Sequence, residues 1–183
     1  MPSSIRRLNP EHENNPLLPH LIMNLVANLL PLANVSVDME VSSKKRLFEH
    51  LALLFENNHA VARSVVFESL FARERLGSTG LGQGVAIPHG RIKGLKDAIG
   101  AFVRLSAPVP FDAPDGKPVM LVFALLVPEQ ATETHLQILS ELAQMFSDRV
   151  LRESMSSAVD AAELHHLVTS WQSDAAGQRH AVA

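Results

Sequence analysis

The feature that most constrains the fold is an unbroken apolar run at residues 119–127, which reads VMLVFALLV and ends at Pro128. A strand with one face in water alternates apolar and polar side chains, whereas a strand covered on both faces is apolar throughout. The run therefore predicts the central strand of a sheet that has helices on both faces. A chain of 183 residues with 46% hydrophobic composition is long enough for one such domain and short for two.

The segments around this run alternate between short strand patterns and helical patterns. We predict further strands at Val35–Met39, 85–87, 98–105 and 109–111. We predict helices at 17–30, from Ser42 or Ser43 to Asn58, at about 62–76, from Thr132 through Phe146, and from Asp160 to Trp171. This order predicts an α/β fold, a single-domain sandwich with a mixed β-sheet flanked by helices, over residues 17–172. We expect residues 1–16 to be a mobile segment and residues 173–183 a flexible tail.

Composition excludes several classes of function. The chain has no cysteine, which removes disulfides, thiolate catalysis and thiolate metal sites. Its formal net charge of −3 gives no electrostatic case for nucleic acid or an anionic membrane surface. The apolar stretch at residues 21–30 contains two asparagines and is too short to span a bilayer. We expect a soluble, cytoplasmic protein.

A glycine-rich loop and a histidine adjoin one predicted strand. Residues 77–90 read GSTGLGQGVAIPHG. The loop has neither the Gly-Lys-Ser/Thr ending of a P-loop nor the spacing of a dinucleotide fingerprint, and a plain turn remains an alternative. Pro88 favours extended backbone before His89, and Gly90 allows the chain to turn after it. This sequence predicts that His89 is presented at the end of a strand beside the loop, although a lone histidine is more often structural.

An arginine lies on the inward face of the helix that precedes the loop. Val66, Leu70 and Arg73 follow the i, i+4, i+7 spacing of one helix face, so the side chain of Arg73 is predicted to point toward the protein. Glu74 and Arg75 are expected on the solvated side. An arginine whose stem packs while its head stays in water is the simpler alternative for Arg73.

A second histidine is predicted at the positive end of a helix. His135 lies in the first turn of the helix that starts at Thr132, on the face continued by Leu139, so it should point inward where an anion is favoured. A core histidine bonded to a carbonyl is the alternative. No third zinc ligand and no nucleophile elbow accompany the two imidazoles and the guanidinium of Arg73. The set best fits a phosphoryl group bound on or near His89.

Residues 73–90, RERLGSTGLGQGVAIPHG, resemble the signature of the fructose/mannitol-type enzyme IIA of the phosphoenolpyruvate-dependent phosphotransferase system. Within that family the chain looks most like the nitrogen-regulatory branch. The segments FALLVP at 123–128 and THL at 134–136 support the match, which covers roughly residues 22–171. The N-terminal segment is longer than the family needs, and Gln83 stands where asparagine is more usual.

The resemblance implies roles for particular residues. By position, His89 is the phosphoryl acceptor, and His135 and Arg73 act with it. The loop that lines the site contains Ser78, Thr79 and Gly80. Phosphotransfer of this kind takes the group from a phosphohistidine on an HPr-type carrier and needs no metal or other cofactor. From adjacency alone we also predict a docking patch formed by Leu81, Ile92 and Phe111.

Three functions remain open at this point. The chain is a regulatory phosphoprotein that switches target proteins, a sugar-specific enzyme IIA that passes the phosphoryl group to a separate IIB, or an unphosphorylated binding module. The lack of a IIB domain, an acceptor cysteine and a membrane segment favours the first. The presence of Arg73, His89 and His135 argues against the third.

Overall fold

A computed structural model describes residues 24–130 and 133–172. The strands are β1 Val35–Met39, β2 Gly80–Gly82, β3 Val85–Ala86, β4 His89–Ile92, β5 Ile99–Val109 and β6 Val119–Pro128. The helices are α1 Lys44–His59, α2 Arg63–Arg75, α3 Glu133–Ser147, α4 Arg149–Ser157 and α5 Ala161–Thr169. Within these ranges no helix is both long enough and apolar enough to cross a membrane. The N-terminal segment 1–16 and the tail 173–183 of the sequence prediction lie outside the described residues.

Strand β6 is the centre of a mixed sheet of six strands. The order is β1-β5-β6-β3-β2, and β4 also pairs with β6. Strand β5 runs antiparallel to β6, with Phe102 opposite Phe123, whereas β3 and β4 run parallel to it. Both the central strand predicted from the apolar run and the predicted α/β sandwich are confirmed.

Each face of the sheet carries its own layer of helices. The side chains of Leu121, Phe123 and Leu125 pack in a core with α3, α4 and α5, and those of Val122, Ala124 and Leu126 pack against α1 and α2. Successive side chains of a strand point to opposite faces, so this double coverage requires every position of β6 to be apolar. The pattern of the run is thus explained by two cores rather than one.

The helix starts predicted from capping residues are found where expected. The Ser43 hydroxyl accepts a hydrogen bond from Arg46 N at 3.2 Å, and the Asp160 carboxylate accepts one from Glu163 N at 2.8 Å. These side chains satisfy backbone donors that the first turn leaves free. Thr132, the third predicted cap, lies outside the described residues.

Several elements differ from the sequence prediction. The part of the predicted helix 17–30 that the structure describes contains only a 3-10 turn at Val26–Asn28. Asn24 explains this, because its Oδ1 accepts from Ala27 N at 2.6 Å while its Nδ2 donates to the carbonyls of Val168 and Trp171. The side chain thus fixes a tight turn against the end of α5. Residues 109–111 are not a separate strand, and β2, β4 and α4 were not predicted.

Candidate functional site

His89 is positioned by β4, the strand that it begins. His89 pairs with Leu125 of β6 in parallel register, so the histidine starts a strand rather than ending one as predicted. Gly90 lies directly beneath α2, where an added Cβ would meet the side chain and backbone of Ser69. The missing side chain at position 90 therefore allows α2 to approach β4 closely and brings its last turn beside His89.

The two ring nitrogens of His89 have different partners. Nδ1 lies 2.8 Å from the carbonyl oxygen of Ile87, and Nε2 lies 3.2 Å from Nε of Arg73. A carbonyl oxygen only accepts and the guanidinium Nε–H only donates, so Nδ1 carries the proton and Nε2 keeps its lone pair. The arrangement selects the tautomer in which Nε2 is the nucleophilic atom, and it places a cation directly beside that atom.

His135 projects from the first turn of α3 toward His89. The two ring centroids are 5.3 Å apart with an interplanar angle of 63°. His135 is only 8% exposed, and none of the residues that the structure describes supplies a hydrogen-bond partner for its Nε2. A buried polar atom without a partner costs roughly 1–3 kcal/mol, so such an atom calls for a specific explanation. The His135 ring lies beside that of His89, where an anion bound in the site could satisfy this atom.

The surroundings of both imidazoles favour the neutral form by lowering the pKa of each. Burial lowers the pKa of His89, as does the cation of Arg73, against the opposing effects of the Ile87 carbonyl and the Glu74 carboxylate. Burial also lowers the pKa of His135, with further contributions from His89, Arg91 and Arg73. A neutral imidazole can attack through its free nitrogen or donate through its N–H, which an anion-transfer site requires.

The loop between α2 and β3 is held by its own side chains. The Ser78 hydroxyl donates to the Phe111 carbonyl at 2.6 Å and accepts from Gly80 N at 3.1 Å. The Thr79 hydroxyl donates to the Glu74 carboxylate at 2.6 Å. Gly80 packs so closely on Ala113 that an added Cβ would lie 2.8 Å from the Ala113 Cβ. In this structure the two hydroxyls fix the shape of the loop.

Glu74 is buried, so the prediction that it lies on the solvated side of α2 is wrong. Its side chain is only 6% exposed, and its carboxylate accepts from Thr79 and from Lys44 Nζ, the latter at 3.0 Å. One signal could have identified it, since Glu74 follows Leu70 at i+4 on the face that α2 buries. Arg75 is exposed as expected, and its guanidinium lies 4.7 Å from the centre of the Phe71 ring.

The predicted docking patch needs correction. Ile92 and Phe111 are only 3% and 1% exposed, because both point into the core between the sheet and helices α1 and α2. Leu81 is exposed as predicted. Two other exposed leucines are near the site in sequence: Leu76 follows Arg73 at the end of α2, and Leu136 follows His135. Leu76, Leu81 and Leu136 are thus three exposed leucines that adjoin Arg73, the glycine-rich loop and His135 in sequence.

Comparison with known proteins identifies the family of the chain. Residues 28–171 match the family model described as "Phosphoenolpyruvate-dependent sugar phosphotransferase system, EIIA 2". A "Nitrogen regulatory protein" of Pseudomonas aeruginosa is 45% identical over 137 residues, which cover 74% of this chain and 89% of the relative. The protein of the same name from Escherichia coli K12 is 42% identical over 128 residues, or 69% and 78% of the two chains.

Solved structures agree with the sequence relatives. The crystal structure of nitrogen regulatory protein IIA-Ntr from Neisseria meningitidis matches with a TM-score of 0.76 and 57% identity, covering 80% of this chain and all (100%) of that one. IIA mannitol from Escherichia coli matches with a TM-score of 0.65 over 75% and 97% of the two chains; at 20% identity this likeness concerns the fold alone.

The fold and the family match together define a component of the phosphotransferase system. The chain belongs to the EIIA 2 family of that system. Among the relatives named above, those most similar in sequence carry the name nitrogen regulatory protein, so both the predicted family and the predicted branch are confirmed.

Proposed function

We propose that this protein is a phosphocarrier that accepts a phosphoryl group on Nε2 of His89 from a phosphohistidine of an HPr-type carrier. The phosphorylated and unphosphorylated forms then bind target proteins differently, which makes the protein a regulatory switch in the cytoplasm. The observation that carries the proposal is the tautomer of His89, with its lone pair on Nε2 beside Arg73. Family membership and the names of the relatives support it.

The transfer step exchanges one phosphorus–nitrogen bond for another. The Nε2 lone pair of His89 attacks phosphorus while the bond to the donor imidazole breaks, and its electron pair returns to the donor nitrogen. Nδ1 of His89 keeps its proton, and the Ile87 carbonyl stabilises the positive charge on the ring. Arg73 neutralises charge on the phosphoryl oxygens, and His135 donates from Nε2, which has no partner among the described residues.

We assign docking of the carrier to the exposed leucines Leu76, Leu81 and Leu136. A partner must bring its own phosphohistidine to His89, so its contact surface has to surround that residue. Leu76, Leu81 and Leu136 are exposed leucines close in sequence to Arg73, the glycine-rich loop and His135. Exposed apolar side chains that lie together are typical of protein contact sites.

The sugar-specific alternative uses the same chemistry and differs in the acceptor. A relative from Haloferax volcanii named "PTS system fructose-specific EIIA component" is 32% identical over 134 residues, which is less than the nitrogen regulatory proteins. This difference favours regulation of targets over transfer to a IIB. The unphosphorylated binding module is disfavoured, because binding alone does not require a free Nε2 on His89.

The deciding experiment is intact mass spectrometry after the protein is mixed with enzyme I, an HPr-type carrier and phosphoenolpyruvate. One acid-labile phosphoryl group is expected on the wild type and on His166→Ala, a control at an exposed histidine of α5. His89→Ala should carry none, and Arg73→Ala or His135→Ala should be phosphorylated more slowly while still folded. Phosphorylation of His89→Ala, or none on the wild type with any carrier, would overturn the proposal.

A further inference from the structure

The carboxylate of Glu74 is a buried charge that the transfer step above does not use. It lies in the last turn of α2, next to Arg73 in the chain, and its residue is only 8% exposed. It accepts from Thr79 N at 3.1 Å, from Thr79 Oγ1 at 2.6 Å and from Lys44 Nζ at 3.0 Å. A buried carboxylate is costly unless it is paired and hydrogen-bonded. All three of these hydrogen bonds end on the two carboxylate oxygens of Glu74.

A chain of hydrogen bonds leads from Glu74 to one nitrogen of His89. Glu74 holds the Thr79 N–H, and the Thr79 carbonyl accepts from Ile87 N at 2.9 Å. The Ile87 carbonyl in turn accepts from Nδ1 of His89 at 2.8 Å. The other nitrogen, Nε2, is held by Arg73, the chain neighbour of Glu74. The contacts of both ring nitrogens of His89 thus depend on the end of α2 and on the loop bound to it.

Lys44 holds the same assembly from the first turn of α1. Its Nζ lies 3.0 Å from Glu74, 2.9 Å from Asp112 and 4.5 Å from the centre of the Phe111 ring. The Phe111 carbonyl accepts the hydrogen bond of Ser78 at 2.6 Å, so Lys44 contacts the segment that anchors the loop from its other side. The ammonium also offsets the negative charge of Glu74 in a region that must receive a phosphoryl anion.

We propose that Glu74, paired with Lys44, is a positioning residue for His89. It fixes Thr79, and through Thr79 the peptide of Ile87, so that the Nδ1 proton of His89 is held and Nε2 remains unprotonated. Glu74 touches no reacting atom and acts only through these neighbours. The proposal rests on the proposed function, because a fixed tautomer matters for phosphoryl acceptance at Nε2.

A structural role and a positioning role for Glu74 predict different effects of its removal. If the carboxylate only stabilises the loop through its hydrogen bonds, its removal lowers the free energy of unfolding and leaves the tautomer of His89 unchanged. If it positions His89, its removal allows Nε2 to become protonated in a share of the molecules. The Asp38–Arg104 ion pair serves as a control, since it joins a carboxylate to a buried arginine at 2.8 Å and neither side chain bonds to the site within the described residues.

The test measures the imidazole nitrogen resonances of His89 by NMR together with the phosphorylation rate, in wild type, Glu74→Gln and Asp38→Asn. We expect Nε2 to be unprotonated in the wild type and the control, and a mixture of tautomers in Glu74→Gln. The rate for Glu74→Gln should fall about 10-fold or more, as for other residues that orient a reacting group through a neighbour. An unchanged tautomer and a control-like rate in Glu74→Gln would overturn the proposal.

A second pair of variants covers the case in which Glu74→Gln does not fold. Thr79→Val removes the hydroxyl that donates to Glu74, and Thr79→Ser keeps it. We expect a partial loss of the tautomer in the valine variant and a return toward wild type in the serine variant; equal spectra for the two would count against the proposal. The NMR readout needs no donor, so it decides the role of Glu74 even if the wild type is never phosphorylated and the proposed function fails.

Discussion

At the scale of single residues, the protonation of His89 is set by opposing neighbours. Burial and the cation of Arg73 lower its pKa, whereas the Ile87 carbonyl and the Glu74 carboxylate raise it, and the net result is a pKa below the ordinary value of 6.5. The unfolded chain therefore binds a proton at a higher pH than the folded protein does. The stability that this group contributes is present above pH 6.5 and is lost as pH falls through the lowered pKa.

The same shift predicts how phosphoryl acceptance depends on pH. Wild-type acceptance should persist below pH 6.5 and fail only as pH drops through the lowered pKa of His89. In Arg73→Gln the cation is gone, so the pKa of His89 should rise. The acid limb of the profile of phosphorylation rate against pH should then move to higher pH. Transfer should also slow by about 10²- to 10³-fold, because a donor to the phosphoryl oxygens is lost.

Initial rates over a pH series, with an NMR titration of His89, check this prediction. Arg75→Gln is the matched control, because Arg75 is the exposed arginine two positions on and packs over Phe71. Its acid limb should coincide with that of the wild type. An acid limb for Arg73→Gln at the same pH as the wild type would mean that Arg73 does not influence the imidazole.

The residues of the site differ in how far sequence could predict them. Arg73 and His135 could be placed, because helix periodicity shows which side faces the protein. The same periodicity places Glu74 on the buried face, four residues after Leu70. The partners of its carboxylate, Thr79 and Lys44, could not be predicted, because they reach it from a loop and another helix. Phe111 was misplaced for a similar reason: nearness in sequence does not show which way a side chain points.

At the scale of elements, a long strand is easier to predict than a short one. The apolar pattern of β6 identifies it without its neighbours. Strands β2 and β4 have only 3 and 4 residues and are defined by backbone pairing, β4 through its parallel contact with β6. A strand of this length is too short to show an alternating pattern of side chains, and the partner of β4 also lies far away in sequence.

The close contact between α2 and β4 leads to a prediction about Gly90. An alanine there would place its Cβ 3.0 Å from the Cβ of Ser69, so α2 and β4 would have to separate. We expect Gly90→Ala to lower the free energy of unfolding by about 1–3 kcal/mol. Phosphorylation should slow as well, because Arg73 would move away from Nε2 of His89.

Urea unfolding and phosphorylation rates measure the two effects. Ser69→Ala is the control, since it loses only the hydrogen bond from its hydroxyl to the Arg91 carbonyl. The double variant Gly90→Ala/Ser69→Ala should recover part of the stability that Gly90→Ala loses, because the Ser69 hydroxyl no longer obstructs the new methyl group. Wild-type stability in Gly90→Ala alone would show that the two elements can separate at no cost.

At the scale of the whole molecule, the site joins all three layers of the fold. His89 comes from the sheet, Arg73 from the layer of α1 and α2, and His135 from the layer of α3, α4 and α5. The two cores share β5 and β6, so neither layer can separate without exposing apolar residues of the other face. The geometry of the site is therefore tied to the stability of the entire domain.

This arrangement predicts that the site and the distant core unfold together. Trp171 is the only tryptophan and packs against the core that contains α3, α4 and α5, so its fluorescence reports on that layer. In a denaturant series, the ring proton signals of His89 and His135 should disappear at the same concentration at which the Trp171 signal changes. Phe123→Ala, in the core beside Phe102, should lower the unfolding free energy by about 3–5 kcal/mol and shift both transitions equally. A site signal that is lost well before the Trp171 transition would contradict a single cooperative unit and would place Arg73 and His135 on layers that separate independently.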